Sequence, residues 1–129
     1  MRNEKGFTLI ELVMVIVILA ILGSIAVPKF VDLSASAKSA NETGVAGGVR
    51  AGLLTYFIDP ARGNRTSYPA TLDAVADNTM CSNTAPCFTN VLVQGGVTEQ
   101  WKKVSGTAKT YLSPAGNTYT YNSTTGDFK

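Results

Sequence analysis

Few side chains in this sequence are equipped for chemistry. Glu11 is a lone carboxylate near the start of the most apolar stretch of the chain, KGFTLIELVMVIVILAILGSIAVPKF, residues 5 to 30. A carboxylate in a bilayer core costs about 2.5–3.5 kcal/mol on insertion scales. Either Glu11 acquires a partner or the stretch is more than an anchor. Cys81 and Cys87 are the only thiols. Two cysteines cannot complete a zinc site unaided, and there is no histidine to help. Their C-x5-C spacing is not the C-x-x-C of a redox pair. The missing histidine also removes the commonest general base near neutral pH. No nucleophile has a visible base, no P-loop is present, and no carboxylate pair stands at a spacing useful for acid–base work. Asp127 and nearby carbonyls would be a thin calcium site, since such sites gather several oxygens. Enzymatic activity is therefore the least supported class, and no metal or other cofactor is called for.

The elements that carry these residues are unevenly built. The chain has 129 residues, enough for one domain and not two. Its formal charge is +2, and no basic stripe or arginine cluster points to nucleic acid. From Phe7 to Val27 there are 21 residues and one charge. As a helix this spans about 31 Å, the thickness of a hydrocarbon core. Arg2 and Lys5 precede it, as a cytoplasmic flank would. A secretory signal peptide has a similar outline, but no small-x-small cleavage site ends this run. A plain single-span anchor fits the length and leaves Glu11 unexplained.

The letters Lys5-Gly6-Phe7-Thr8-Leu9-Ile10-Glu11 resemble the cleavage and methylation signature of type IV prepilins and secretion pseudopilins. The resemblance implies a leader, residues 1–6, removed by a prepilin peptidase between Gly6 and Phe7. Phe7 then becomes the N-methylated first residue. It implies storage in the bacterial inner membrane, then export into an extracellular helical homopolymer by assembly machinery with a cytoplasmic ATPase. Cleavage creates an amine at a helix end that already carries the positive pole of the helix dipole. Glu11 can compensate that amine within its own chain. In a bundle of identical helices it can instead face the Phe7 amine of a neighbour, where such a pair is favoured and an orphan costly.

The apolar residues of 7–27 run all round the helix, which suits a bilayer or a filament interior. Gly23 and Pro28 interrupt it. Proline lacks the backbone donor and clashes with the carbonyl four residues back, at about 3 kcal/mol in a helix interior. A kink at Pro28, or local unwinding of Gly23 to Pro28, is expected. The family reading adds melting of that segment on assembly. Beyond it Val45, Val49, Leu53 and Phe57 recur every fourth residue, a single stripe to pack on a sheet. Gly44, Gly47, Gly48 and Gly52 weaken the helix and allow close packing. Asp59-Pro60 ends it. The expected fold is α+β: one helix over 7–59, its first half protruding, its second packed on a small antiparallel sheet. A rod over 7–58 would be about 78 Å long. A head of residues 60–129 cannot bury it.

Within the head, Pro60 to Pro69 reads as a loop. Tyr68 to Asp77 reads as a short helix capped by Thr71, with Leu72 and Val75 inward. Strands are expected at Phe88–Val93, Gln100–Val104, Ala108–Leu112 and Thr118–Asn122, with glycine- and proline-rich turns between. Tyr119 and Tyr121 share one face of the last. In an exported domain Cys81 and Cys87 read as a structural disulfide stapling Ser82 to Pro86, worth about 2–3 kcal/mol. A reduced pair would argue against export. Asn41, Asn64 and Asn122 begin N-x-Ser/Thr patterns, which need a glycosylating host. Trp101 with TYTYNSTTGDF resembles the mannose-sensitive haemagglutinin branch of these pilins. Two alternatives stand beside a pilus subunit: a type II secretion pseudopilin, and a membrane-anchored periplasmic binding domain.

Overall fold

The computed structural model describes residues 6–61, 66–107 and 109–129. Its organising element is helix α1, Leu9–Ile58, 50 residues long. By internal contacts the chain divides into two units, Met1–Ala37 and Lys38–Lys129.

In the first unit the side chains of α1 have nothing to pack against. Ile10, Ile18, Leu22, Val27 and Leu33 are each more than half exposed. The backbone stays helical through Gly23 and Pro28.

In the second unit the helix has a core side. Ala46, Val49 and Leu53 are buried, Val45 and Phe57 partly so, and Glu42 lies among them. Asp59-Pro60 stops the helix: Asp59 N–H still reaches the Thr55 carbonyl at 3.1 Å, and Asp59 Oδ1 then accepts the Ala61 N–H at 2.9 Å. A four-stranded antiparallel sheet follows: β1 (Thr79–Met80), β2 (Lys102–Ser105), β3 (Thr110–Leu112) and β4 (Thr118–Thr120), in spatial order β1-β2-β3-β4. Lys103 pairs with Thr79 on one side and Tyr111 on the other, and Tyr111 with Tyr119. A register shift between Lys103 and Ser105 bends β2.

Four large rings fill the core. Phe88, Trp101, Tyr111 and Phe128 are all at least 98% buried, at 2% residual exposure or less. Phe88 lies edge-on to Trp101 and Phe128, with centroids 5.5 and 5.6 Å apart. Phe128 is held there by main-chain pairing, since Tyr121 bridges it and Thr120 exchanges hydrogen bonds with Lys129. Tyr121 is buried and Tyr119 partly so, while Thr118, Thr120 and Asn122 face solvent.

Several expected elements take another form. Tyr68 to Asp77 is not a helix. Its polar groups serve distant partners instead: the Leu72 carbonyl accepts Asn90 N–H, the Thr71 carbonyl accepts Asn90 Nδ2, and Asp73 Oδ1 closes a local turn on Val75 N–H. A carboxylate that bonds its own backbone two residues on competes with helix formation. Phe88 to Val93 is not a strand. Phe88 has φ +62° and its carbonyl accepts the N–H groups of Val91 and Leu92, which curls the chain into a turn. The strands expected from Gln100 and up to Asn122 are shorter. Gln100 sits at φ +66°, so β2 starts after it. At the far end, Asn122 turns its N–H to the Asp127 carbonyl. β1 lies just beyond the expected helix, where no strand was expected, and it exists because Cys81 N–H bonds the Trp101 carbonyl and carries the chain alongside β2.

Helix and turn meet at Gly52. A Cβ there would overlap the Val91 carbonyl oxygen and carbon. Alanine is the better helix former by about 1 kcal/mol, yet Gly52→Ala should destabilise the head, by about 1–3 kcal/mol as for other overpacked sites. Thermal unfolding followed by near-ultraviolet circular dichroism measures it. An unchanged or raised midpoint would show that the 88–92 turn yields freely.

Candidate functional site in the helix N-terminus and the head clasp

The N-terminal candidates come together in one turn. Gly6 and Phe7 precede the helix, and Phe7 is 89% exposed. Thr8 is the cap. Its Oγ1 accepts the Glu11 N–H at 3.4 Å, while Glu11 Oε2 accepts the Thr8 N–H at 2.9 Å and the Thr8 hydroxyl at 2.8 Å. This reciprocal arrangement is a capping box, and it satisfies two of the donors that every helix start leaves unpaired. The signal was in the sequence as Thr8-x-x-Glu11 before an apolar run. Glu11 thus has a structural role independent of any amine. Arg2 and Lys5 lie outside the described residues.

Behind this turn, α1 carries an 18-residue window of mean hydropathy 2.9, long and apolar enough to cross a membrane, and none of that window is buried. The site therefore consists of an exposed Gly6–Phe7 step, a capped carboxylate one turn on, and an uncovered apolar shaft.

The head holds two polar nodes that composition did not reveal. Asp73 is buried and saturated. Oδ1 accepts from Lys103 Nζ at 2.8 Å and Val75 N–H at 3.1 Å, and Oδ2 from Phe88 N–H at 3.0 Å and Tyr111 Oη at 2.9 Å. The ion pair ties β2 to the segment before β1, and all its lone pairs are used. Such a pair contributes little net stability, but losing one partner costs about 3–5 kcal/mol. The phenol of Tyr111 is pushed up, first by burial and then by the Asp73 charge.

Glu42 is the second node. It projects from the core side of α1 into the β3–β4 hairpin. Oε1 accepts from Tyr119 Oη at 2.7 Å and Asn117 Nδ2 at 2.9 Å, and Oε2 from Ser113 Oγ at 2.9 Å. Among the described residues no basic group pairs with it. Neutral donors alone hold the charge, Tyr119 first, and they keep its carboxyl below the ordinary 4.5. The same bond pushes the Tyr119 phenol above its ordinary 10.0.

Cys81 and Cys87 form a disulfide with Cα atoms 5.4 Å apart. Both sulfur-bearing residues are buried, and the bridge leads directly to Phe88, whose N–H reaches Asp73. Among the described residues no three His, Cys, Asp or Glu side chains gather as a metal-ligand set. Asp127 accepts from Thr125 Oγ1 and pairs loosely with Lys129. Asn41 Oδ1 is taken by the Trp101 indole at 3.1 Å, Asn122 Oδ1 by the N–H groups of Thr124 and Thr125, and Asn64 lies outside the described residues.

Comparison with known proteins bears on the same N-terminus. The family described as the prokaryotic N-terminal methylation motif matches residues 1–27. The type IV narrow pilus major component PilA5 of Thermus thermophilus is 38% identical over 109 residues, covering 74% of this chain and 92% of that protein. The chain belongs to the type IV pilins. The wide pilus major component PilA4 of the same organism is 32% identical over 117 residues, covering 91% of this pilin and 76% of the relative. The type IV major pilin PilE1 of Neisseria gonorrhoeae is 38% identical over 56 residues, 43% of this pilin and 34% of that one. No solved structure matches the chain at the same level of significance.

The pilin's clasp makes its head sensitive to pH. Glu42 is depressed in the folded state, so its stabilisation is complete above the unfolded value near 4.5 and is lost as pH falls through the folded value. Glu42→Gln should destabilise the head at pH 7, and its deficit should shrink below about pH 4.5. For the raised phenols of Tyr119 and Tyr121, the latter at about 12, the sign reverses: stability is complete below the unfolded value of 10.0 and lost above it. Melting temperatures of both proteins across pH 3–11 check this; parallel acid limbs would exclude Glu42 as their source.

Proposed function

We propose that this pilin is the structural subunit of an extracellular type IV pilus. It is stored as a prepilin in the bacterial inner membrane and cut between Gly6 and Phe7. It is then methylated on Phe7 and polymerised through its apolar helix. The observation that carries the reading is the conjunction at the N-terminus: Gly6 before an exposed Phe7, Glu11 in the first turn, and an uncovered apolar helix behind them. The match to the N-terminal methylation motif over residues 1–27 supports the processing step. The relatives named as pilus major components support the polymer.

Apolar helices gain little from exchanging lipid for one another. Packing and the Glu11 charge must therefore set register, while external machinery supplies the work. In the capped state Glu11 has hydrogen bonds to Thr8 but, among the described residues, no cationic partner. Docking beside a neighbour's Phe7 amine gives it one, in surroundings of low dielectric where a broken pair is costly.

Glutamine serves a capping box as glutamate does. Glu11→Gln therefore keeps the helix start and removes only the charge. Sheared surface filaments should fall at least tenfold in yield while the subunit accumulates in the membrane, and mass spectrometry of wild-type filaments should give methyl-Phe7. Filaments at normal yield would exclude the intermolecular pair. An intact Met1, or a cut beyond Val27, would exclude the whole reading.

A further inference from the structure

One pocket of the head is lined by polar groups that the chain itself leaves unused. It is open to solvent, about 360 Å³ in volume, and lies wholly within the unit that holds the sheet. Its lining comes from three stretches: Tyr56 of α1, Pro69 to Thr71, and Thr89 with Asn90 in the turn after Phe88. These stretches are tied to one another and to the core. Asn90 donates its backbone N–H to the Leu72 carbonyl at 3.0 Å and its Nδ2 to the Thr71 carbonyl at 2.8 Å. The Tyr121 hydroxyl, from the core side, donates to the Pro69 carbonyl at 2.6 Å. Phe57, beside Tyr56, stacks on Tyr68, beside Pro69, with centroids 4.8 Å apart. The pocket is therefore preformed, and a ligand need not order it.

The unused groups define what it can take. Among the described residues, the hydroxyls of Tyr56, Thr71 and Thr89 and the Oδ1 of Asn90 make no hydrogen bond within the chain. Three hydroxyls and an amide can each donate and accept. No lining residue is charged. A phosphate, carboxylate or ammonium entering there would lose water without gaining a counter-charge, which is costly. A ring bearing several hydroxyls meets no such cost, because each hydroxyl exchanges water for a protein hydroxyl or amide. The Tyr56 ring, Pro69 and Ala70 supply apolar surface for the C–H face of such a ring, the mix of apolar lining and a few polar groups that small-molecule sites use.

We infer that this pocket binds a neutral pyranose sugar, with Tyr56 against the ring and Thr71, Thr89 and Asn90 on its hydroxyls. The site needs neither cleavage at Gly6 nor assembly, so it stands or falls apart from the pilus reading above.

The test uses the full-length chain, solubilised in a detergent without a sugar headgroup. Saturation-transfer NMR is recorded with D-glucose, D-galactose and N-acetyl-D-glucosamine as neutral probes, and with D-glucuronate as the charged one. Wild type is compared with Tyr56→Ala and, separately, Thr89→Val, which keeps the side-chain shape and removes only the hydroxyl. Circular dichroism checks that each variant is folded. The expected result is transfer to the ring protons of at least one neutral sugar, with affinity about tenfold lower in each variant. Glucuronate should bind about tenfold more weakly than the neutral sugar, since its carboxylate finds no cation. Absence of transfer to all three neutral sugars overturns the site. So does undiminished binding in either folded variant, or glucuronate bound as tightly as the neutral sugar. If Tyr56→Ala fails to fold, Thr89→Val decides alone, because position 89 is exposed.

Discussion

Water disfavours the side chains of α1 from Leu9 to Leu33, and nothing in the described chain covers them. The rest of the molecule is arranged around that constraint. Burying one leucine or isoleucine is worth about 1.5–3 kcal/mol, so a shaft of such residues left in water would favour any apolar partner available. In the membrane the partner is lipid; in the proposed fibre it is other copies. The head must then stand on its own small core, whose buried apolar members among the described residues all lie between Ala46 and Phe128.

A core that small is marginal. The head compensates by making its few interior positions do several things. Four aromatic rings fill the centre with large, rigid side chains that lose little freedom on ordering. The disulfide between Cys81 and Cys87 restrains the turn that delivers Phe88 to that centre. The N–H of Phe88 helps neutralise Asp73, so backbone path, ring packing and ion pair are fixed together. Glu42 does the same for α1. The helix is registered against the β3–β4 hairpin by three side-chain donors and not by hydrophobic contact alone, which could slide. Buried polar groups satisfied on every lone pair specify one arrangement where an all-apolar interface would tolerate several.

What could be read from sequence follows from the range of the interactions. The span, the motif at Gly6 to Glu11, the packing stripe at Val45, Val49 and Leu53, and the alternation of Tyr119 with Tyr121 are local patterns, and periodicity or spacing reveals them. The disulfide required only a count and a compartment. The misread elements are those whose conformation is decided from far away. Tyr68 to Asp77 has the composition of a helix, but Asp73 has its strongest partner thirty positions on at Lys103. Phe88 to Val93 has the composition of a strand, but the turn at Phe88 is set by Asp73 and the Cys87–Val97 bridge. Glu42 is one of several charged residues spaced along α1 beyond Pro28. Its burial depends on Ser113, Asn117 and Tyr119, more than seventy residues away, and no window of sequence around it carries that information.

The same distinction clarifies Glu11. A capping box is a local device, complete within four residues, and it accounts for a threonine and a carboxylate at this spacing without reference to any other chain. It does not account for the charge, because glutamine at that position closes the box as well. A helix start in water could keep the charge at little cost, but this one adjoins a shaft that must leave water, where an uncompensated carboxylate is expensive. The hydrogen bonds to Thr8 lower that cost without cancelling it. A cation is still required when the helix is surrounded by other helices, and under the proposed cleavage the one created beside this turn would be the amine of Phe7. In the proposed fibre, geometry then decides between its own amine and a neighbour's. Thr8 already holds Glu11 Oε2 along its own helix start, and among the described residues no hydrogen bond engages the other carboxylate oxygen.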